Sequence, residues 1–110
     1  MTDADNETWL LEAGHRVLEE DPTDERDSAD IVKHLIWCLW VADYGMRNAG
    51  DLETARDLNA SFKQQGYQSA RTLNLPRTTE AFALSDEEFE RDYFALFDAI
   101  CAEIRPLSPY

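Results

Sequence analysis

Apolar residues recur at intervals of three and four along most of the chain, and runs of Val, Ile and Thr alternating with polar residues are absent. The pattern predicts an all-α protein. A first helix runs from near Asp5 to near Glu20, with Trp9, Leu10, Ala13, Val17 and Leu18 as its inner face. Asp21-Pro22 closes it, because proline disfavours the α region for the residue before it. A second helix runs from Asp27 or Ser28, either of which can cap it, to about Asn48. Between Ile31 and Met46 only Lys33, His34, Asp43 and Gly45 are not apolar, so this helix is predicted to be buried nearly all round, at the centre of the fold. Gly50 is its stop signal.

A third helix is expected from Asp51, its cap, with Leu52, Ala55, Leu58, Ala60 and Phe62 facing inward; Gly66 either ends it or only weakens it before Tyr67 and Ala70. Residues 72–84 read as a connection with one short helical turn around Thr79 to Phe82, since Pro76 interrupts the pattern. The last helix has the sharpest start. Ser85-Asp86-Glu87-Glu88 is a capping box, followed by a stripe of Phe89, Tyr93, Leu96, Phe97, Ile100 and Ile104 that ends at Pro106. These elements predict a compact four-helix bundle, irregular and antiparallel or orthogonal, around a central apolar second helix. With no repeat, low-complexity tract or long linker, residues 1–110 read as one domain.

Burying that second helix on every side strains a domain of 110 residues, so one of its faces is expected to meet a second copy in a homodimer. The longest apolar run, Leu35 to Ala42, is too short to cross a bilayer, which takes about 20 residues. No charged n-region and apolar h-region opens the chain. The expectation is a soluble cytoplasmic protein whose Cys38 and Cys101 are small buried thiols.

Charge sharpens the picture. Asp and Glu number 23 against 10 Lys and Arg, for a net charge of −13. Residues 1–30 carry −9, residues 31–80 carry +1 and residues 81–110 carry −5. If the two ends of the chain lie side by side, their fields add into one negative face. Such a charge argues against nucleic acid or an anionic membrane as direct partners, because both are polyanions. The acids of Asp86 to Asp92 sit where a helix dipole favours them. Glu19, Glu20, Asp21, Asp24, Glu25 and Asp27 gain less from any dipole and are the candidate partner-binding residues. High-salt habitat or arginine-rich codon usage also yields acidic chains with two lysines against eight arginines.

Candidate chemistry is sparse. His15, His34, Cys38 and Cys101 are the residue types of a zinc site, with His34 and Cys38 one turn apart, but no C-x₂-C or H-x₃-H pair is present. A nucleophilic thiolate needs an electropositive setting, which this chain does not offer. The paired E-x-x-H motifs of a di-iron bundle and Gly-rich phosphate loops are missing. No metal, cofactor or catalytic residue is therefore assigned. Asp43 is the one acid inside the apolar helix and needs a partner, with Arg47 at i+4 the local candidate. The stretch from Tyr44 to Leu52 reads as a shaped corner that presents Tyr44, Arg47 and Asn48 as a recognition loop.

Two functions compete, ahead of a third reading as a metal or thiol enzyme built on His15, His34, Cys38 and Cys101. The first is a small, acidic, non-catalytic binding protein that engages a basic protein through its carboxylates, as nuclease inhibitors, immunity proteins and DNA mimics do. The second is a homodimeric helical protein of unspecified ligand whose acidity serves solubility.

Overall fold

The computed structural model describes residues 3–19 and 28–110. Among them are six α-helices and a closing 3-10 turn, with no strand. The helices are α1 (Asp3–Glu19), α2 (Ser28–Ala49), α3 (Glu53–Leu58), α4 (Phe62–Thr72), α5 (Pro76–Ala83) and α6 (Asp86–Ile104), followed by the turn at Arg105–Leu107. The all-α class therefore holds, while the four expected helices are six.

The difference has two local causes. The expected third helix breaks at Asn59, whose backbone is extended (φ −156°, ψ 101°), and re-forms from Phe62. The break turns Leu58 and Ala60 outward while Leu52, Ala55 and Phe62 stay in the core, so two of the five inner-face assignments fail. Pro76 does not interrupt a helix; it starts one. Leu75 before it is extended (φ −105°, ψ 91°), as proline requires of its predecessor, and Pro76 fills the first turn, where a missing N–H costs nothing. Asp51 acts one residue early: Leu52 is the residue flanking α3, and the Asp51 carboxylate accepts from the Glu53 amide at 3.0 Å.

Elsewhere the local rules hold. Gly50 stops α2 in the left-handed region (φ +76°), its N–H donating to Met46 C=O at 3.0 Å. Ser85 Oγ accepts from the Glu88 amide at 3.2 Å and Glu88 Oε1 accepts from the Ser85 amide at 3.2 Å, which completes the capping box of α6.

Helix α2 is the hub, touching α1, α3, α4 and α6. Its Leu35, Ile36, Leu39 and Ala42 are fully enclosed with Leu10 and Val17 of α1 and Phe97, Ile100 and Ile104 of α6. An aromatic chain, Phe62, Phe89, Tyr93 and Phe97, crosses the core, with consecutive ring centroids 5.4 to 6.3 Å apart. Four helices, α1, α3, α4 and α6, cover α2. Among the described apolar residues of α2, Ile31, Trp37 and Trp40 stay half-covered, the two tryptophans leading to exposed Tyr44. No described helix is long and apolar enough to cross a membrane.

Candidate functional site

Two regions bear on function: the acid-rich outer side of α1 beside α6, and the cleft where α1 meets the end of α2.

Asn6 ties the two ends of the chain together. It is fully buried one turn before Leu10, with Nδ2 donating to Asp98 at 2.7 Å and Oδ1 accepting from Arg105 at 2.9 Å. The Arg105 guanidinium also lies over the Trp9 ring at 5.4 Å. Helices α1 and α6, the two acidic ends, are thus neighbours. On α1, Asp5, Glu12 and Glu19 are exposed at seven-residue spacing, which keeps them on one side with a drift of about 20° per heptad.

The acids of α6 have mostly internal work. Asp86 is held below its ordinary value, first by its hydrogen bond from Arg56 and then by Lys63. Asp92 is lowered by its bond from Arg91. Glu90 accepts the Leu52 amide at 2.8 Å, and Glu103 accepts the Thr78 amide at 2.7 Å and its hydroxyl at 2.8 Å. These carboxylates fasten α3 and α5 to α6. Of the partner-binding candidates, Glu19 is exposed at the end of α1, while Glu20, Asp21, Asp24, Glu25 and Asp27 lie outside the described residues.

The predicted corner is helical. Tyr44, Arg47 and Asn48 occupy the last turns of α2 rather than a loop, and the chain turns only at Gly50. Gly45 serves packing: a Cβ there would stand 3.1 Å from the Ala55 nitrogen, so its absence lets α3 close on α2. Tyr44, Arg47 and Asn48 nevertheless share a cleft of about 170 Å³ with Glu7, Leu11, Trp40 and Asp43.

The floor of that cleft is a buried network. Asp43 is only 4% exposed. It accepts from Tyr93 Oη at 2.6 Å and from Arg47 Nε at 2.9 and 3.0 Å, so the i+4 ion pair expected from sequence forms. Burial raises the Asp43 pKa despite the Tyr93 and Arg47 bonds, which pull it down. Burial, then the Asp43 charge, pushes the Tyr93 phenol well above its ordinary value. Arg47 lies over the Phe94 and Phe97 rings at 5.1 and 4.9 Å, and its Nη1 stands 3.5 Å from Glu7. Asn48 Nδ2 folds back to the Tyr44 carbonyl at 2.8 Å. The network is a brace that fixes Arg47; the Tyr44 ring and Glu7 face outward.

Alongside runs an aromatic ladder. Trp37, Trp40 and Tyr44 stack with 5.4 Å between successive centroids. Gly14 of α1 makes room for it, since a Cβ there would lie 2.2 Å from Trp40 Cδ1. Leu11 and Leu18 remain 46% and 44% exposed, which corrects the inward assignment of Leu18: it lies about 100° round the helix from Val17. The sequence carried signs of this surface in the three-four spacing of the aromatics and in the repeated Leu-Glu pairs at 11–12 and 18–19.

His15 is exposed, whereas His34, Cys38 and Cys101 are buried, with neither thiol in a disulfide. Among the described residues no three of His, Cys, Asp and Glu gather to hold a metal ion. Comparison with protein-family models, curated proteins and solved structures yields no match.

Proposed function

We propose that this is a small, acidic, non-catalytic binding protein that engages a basic protein through a carboxylate-rich face, in the manner of an inhibitor, an immunity protein or a mimic of the DNA backbone. The observation that supports it is the Asn6–Asp98 bond, which sets the acidic α1 beside the acidic α6, with Asp5, Glu12 and Glu19 along one side of α1. Fields of like sign on adjoining helices add, raise the local concentration of a cationic partner and speed its encounter. The acid-rich sequence from Glu20 to Asp27 follows Glu19 directly.

Stopped-flow association with a panel of basic proteins at rising ionic strength tests this. The rate is expected to fall by about tenfold or more between low and physiological salt. Reversing Glu12 and Glu19 to lysine should lower it much more than reversing Glu53 and Asp57 on α3. A rate indifferent to salt, or an equal effect of the two reversals, would contradict the proposal.

A further inference from the structure

We infer that the cleft between α5 and α6 is a binding site for a free α-amino acid with an apolar side chain. The inference is independent of the acidic α1 face, with which this cleft shares no residue.

The cleft measures about 390 Å³, within the roughly 300–1,000 Å³ of small-molecule sites. Arg77 and Glu80 of α5 line it with Leu84, the residue that closes that helix, at i, i+3 and i+7. Asp92, Leu96 and Ala99 of α6 line it at i, i+4 and i+7, so each helix presents one face. Both ends of α5 are pinned. Glu103 accepts from the Arg77 and Thr78 amides at 3.1 and 2.7 Å, and Lys63 Nζ donates to the Leu84 carbonyl. The walls are thus fixed before a ligand arrives, which lowers the ordering cost of binding. Helix α5 runs antiparallel to α6, because its first amides meet Glu103 near the end of α6 while Ser85 joins the other ends. Arg77 therefore stands toward Ala99, and Leu84 toward Asp92.

Charge and apolar surface together select the occupant. Arg47, Arg56, Lys63 and Arg91 are in ion pairs, and Arg16 and Arg105 lie over aromatic rings. The side chains of Arg77 and Glu80, on the exposed rim, have no partner among the described residues. One helical turn apart, with Cβ atoms about 5–6 Å from each other, they can grip the carboxylate and the ammonium of a single α-carbon. The first amides of α5 are spent on Glu103, so the ligand carboxylate falls to the Arg77 guanidinium, which can hold it with two bonds. Asp92 is answered by Arg91 at 2.9 Å, so the ammonium falls to Glu80. Half-buried Leu84, Leu96 and Ala99 form the apolar floor for the side chain. A simple anion would meet Glu80 and Asp92, and a simple cation would meet Arg77. A zwitterion offends neither.

The test titrates ¹⁵N-labelled protein with L-leucine and L-phenylalanine, against glycine, N-acetyl-leucine and leucinamide, in a correlation map. At least one of the two apolar amino acids should shift the amides of 77–84 and 92–99 saturably. Glycine lacks the apolar group and the blocked forms each lack one charge, so all three should bind about tenfold or more weakly. Arg77→Gln and Glu80→Gln alter only exposed side chains and should each weaken the apolar amino acid by about tenfold or more. Arg71→Gln, outside the cleft, should leave its binding unchanged. No saturable shift from either apolar amino acid up to about 10 mM overturns the site. Equal binding of the blocked forms, or undiminished binding to Arg77→Gln, also overturns it, because the charged head is then not read. An equal loss in Arg71→Gln does the same, since general charge and not the cleft would then govern binding.

Discussion

Replacing Asp43 with alanine probes the brace beneath the cleft. The substitution leaves the fully buried Tyr93 hydroxyl without its acceptor at 2.6 Å, at a cost of about 1–3 kcal/mol. It also strips Arg47 of both Nε bonds. Breaking a wholly buried pair costs about 3–5 kcal/mol, but the Arg47 side chain is 23% exposed and keeps Glu7 at 3.5 Å, so its share is smaller. Removing a carboxylate whose burial is unfavourable returns part of the loss. The net expectation is about 3 kcal/mol, a large fraction of the roughly 5–15 kcal/mol that stabilises a domain. The melting midpoint should fall by about 10 °C or more. Tyr93→Phe alone removes one bond to a charged acceptor and should cost about 1.5–2 kcal/mol. The sharper expectation concerns the double variant. With Asp43 already gone, Tyr93→Phe removes an orphaned hydroxyl, so Asp43→Ala/Tyr93→Phe should be about 1 kcal/mol more stable than Asp43→Ala. Urea unfolding followed by tryptophan fluorescence measures all three. Simple additivity of the two losses, or an Asp43→Ala variant within about 0.5 kcal/mol of the native chain, would refute the buried network as a coupled unit.

Gly14→Ala gains up to about 1 kcal/mol of helix propensity but pushes a methyl into the Trp40 ring. A net loss of about 1 kcal/mol in urea unfolding and a weakened near-UV dichroism from the Trp37–Trp40–Tyr44 stack are expected; a stabilised variant with unchanged dichroism would contradict the close approach. Ser85→Ala should destabilise by about 1 kcal/mol through loss of the α6 capping box, checked by thermal melting. Two acids should show opposite pH behaviour. Asp86, lowered in the fold, contributes stability above its ordinary value of 3.8 that is lost as pH falls through the folded value, so Asp86→Asn should flatten the acid limb of the stability curve. Asp43, raised in the fold, contributes stability that is complete below 3.8 and lost as pH rises through its folded value, so Asp43→Asn should gain relative to the native chain across that window.

Features set by local chemistry were legible in the sequence. The Ser85 cap, the Gly50 stop, the Phe89-to-Ile104 stripe and the Asp43–Arg47 pair depend on residues within a few positions of one another, and each forms. Features that depend on partners distant in sequence were not. Pro76 could equally end one helix or begin another, and the Glu103 carboxylate that receives the first amides of α5 lies 25 residues or more away. Asn6 reads as a polar surface residue until Asp98 and Arg105 close over it. The same holds for Gly14, which has no local role in its helix; only Trp40 packing against it gives the absence of a side chain its meaning.

The most direct test of the account is a ¹⁵N–¹H correlation map of the labelled protein titrated with a basic protein from the stopped-flow panel. Saturable shifts should gather on Asp5, Glu12 and Glu19 of α1 and on the part of α6 that adjoins it around Asp98. Shifts spread evenly over α3, α4 and α5, or none at all, would contradict it.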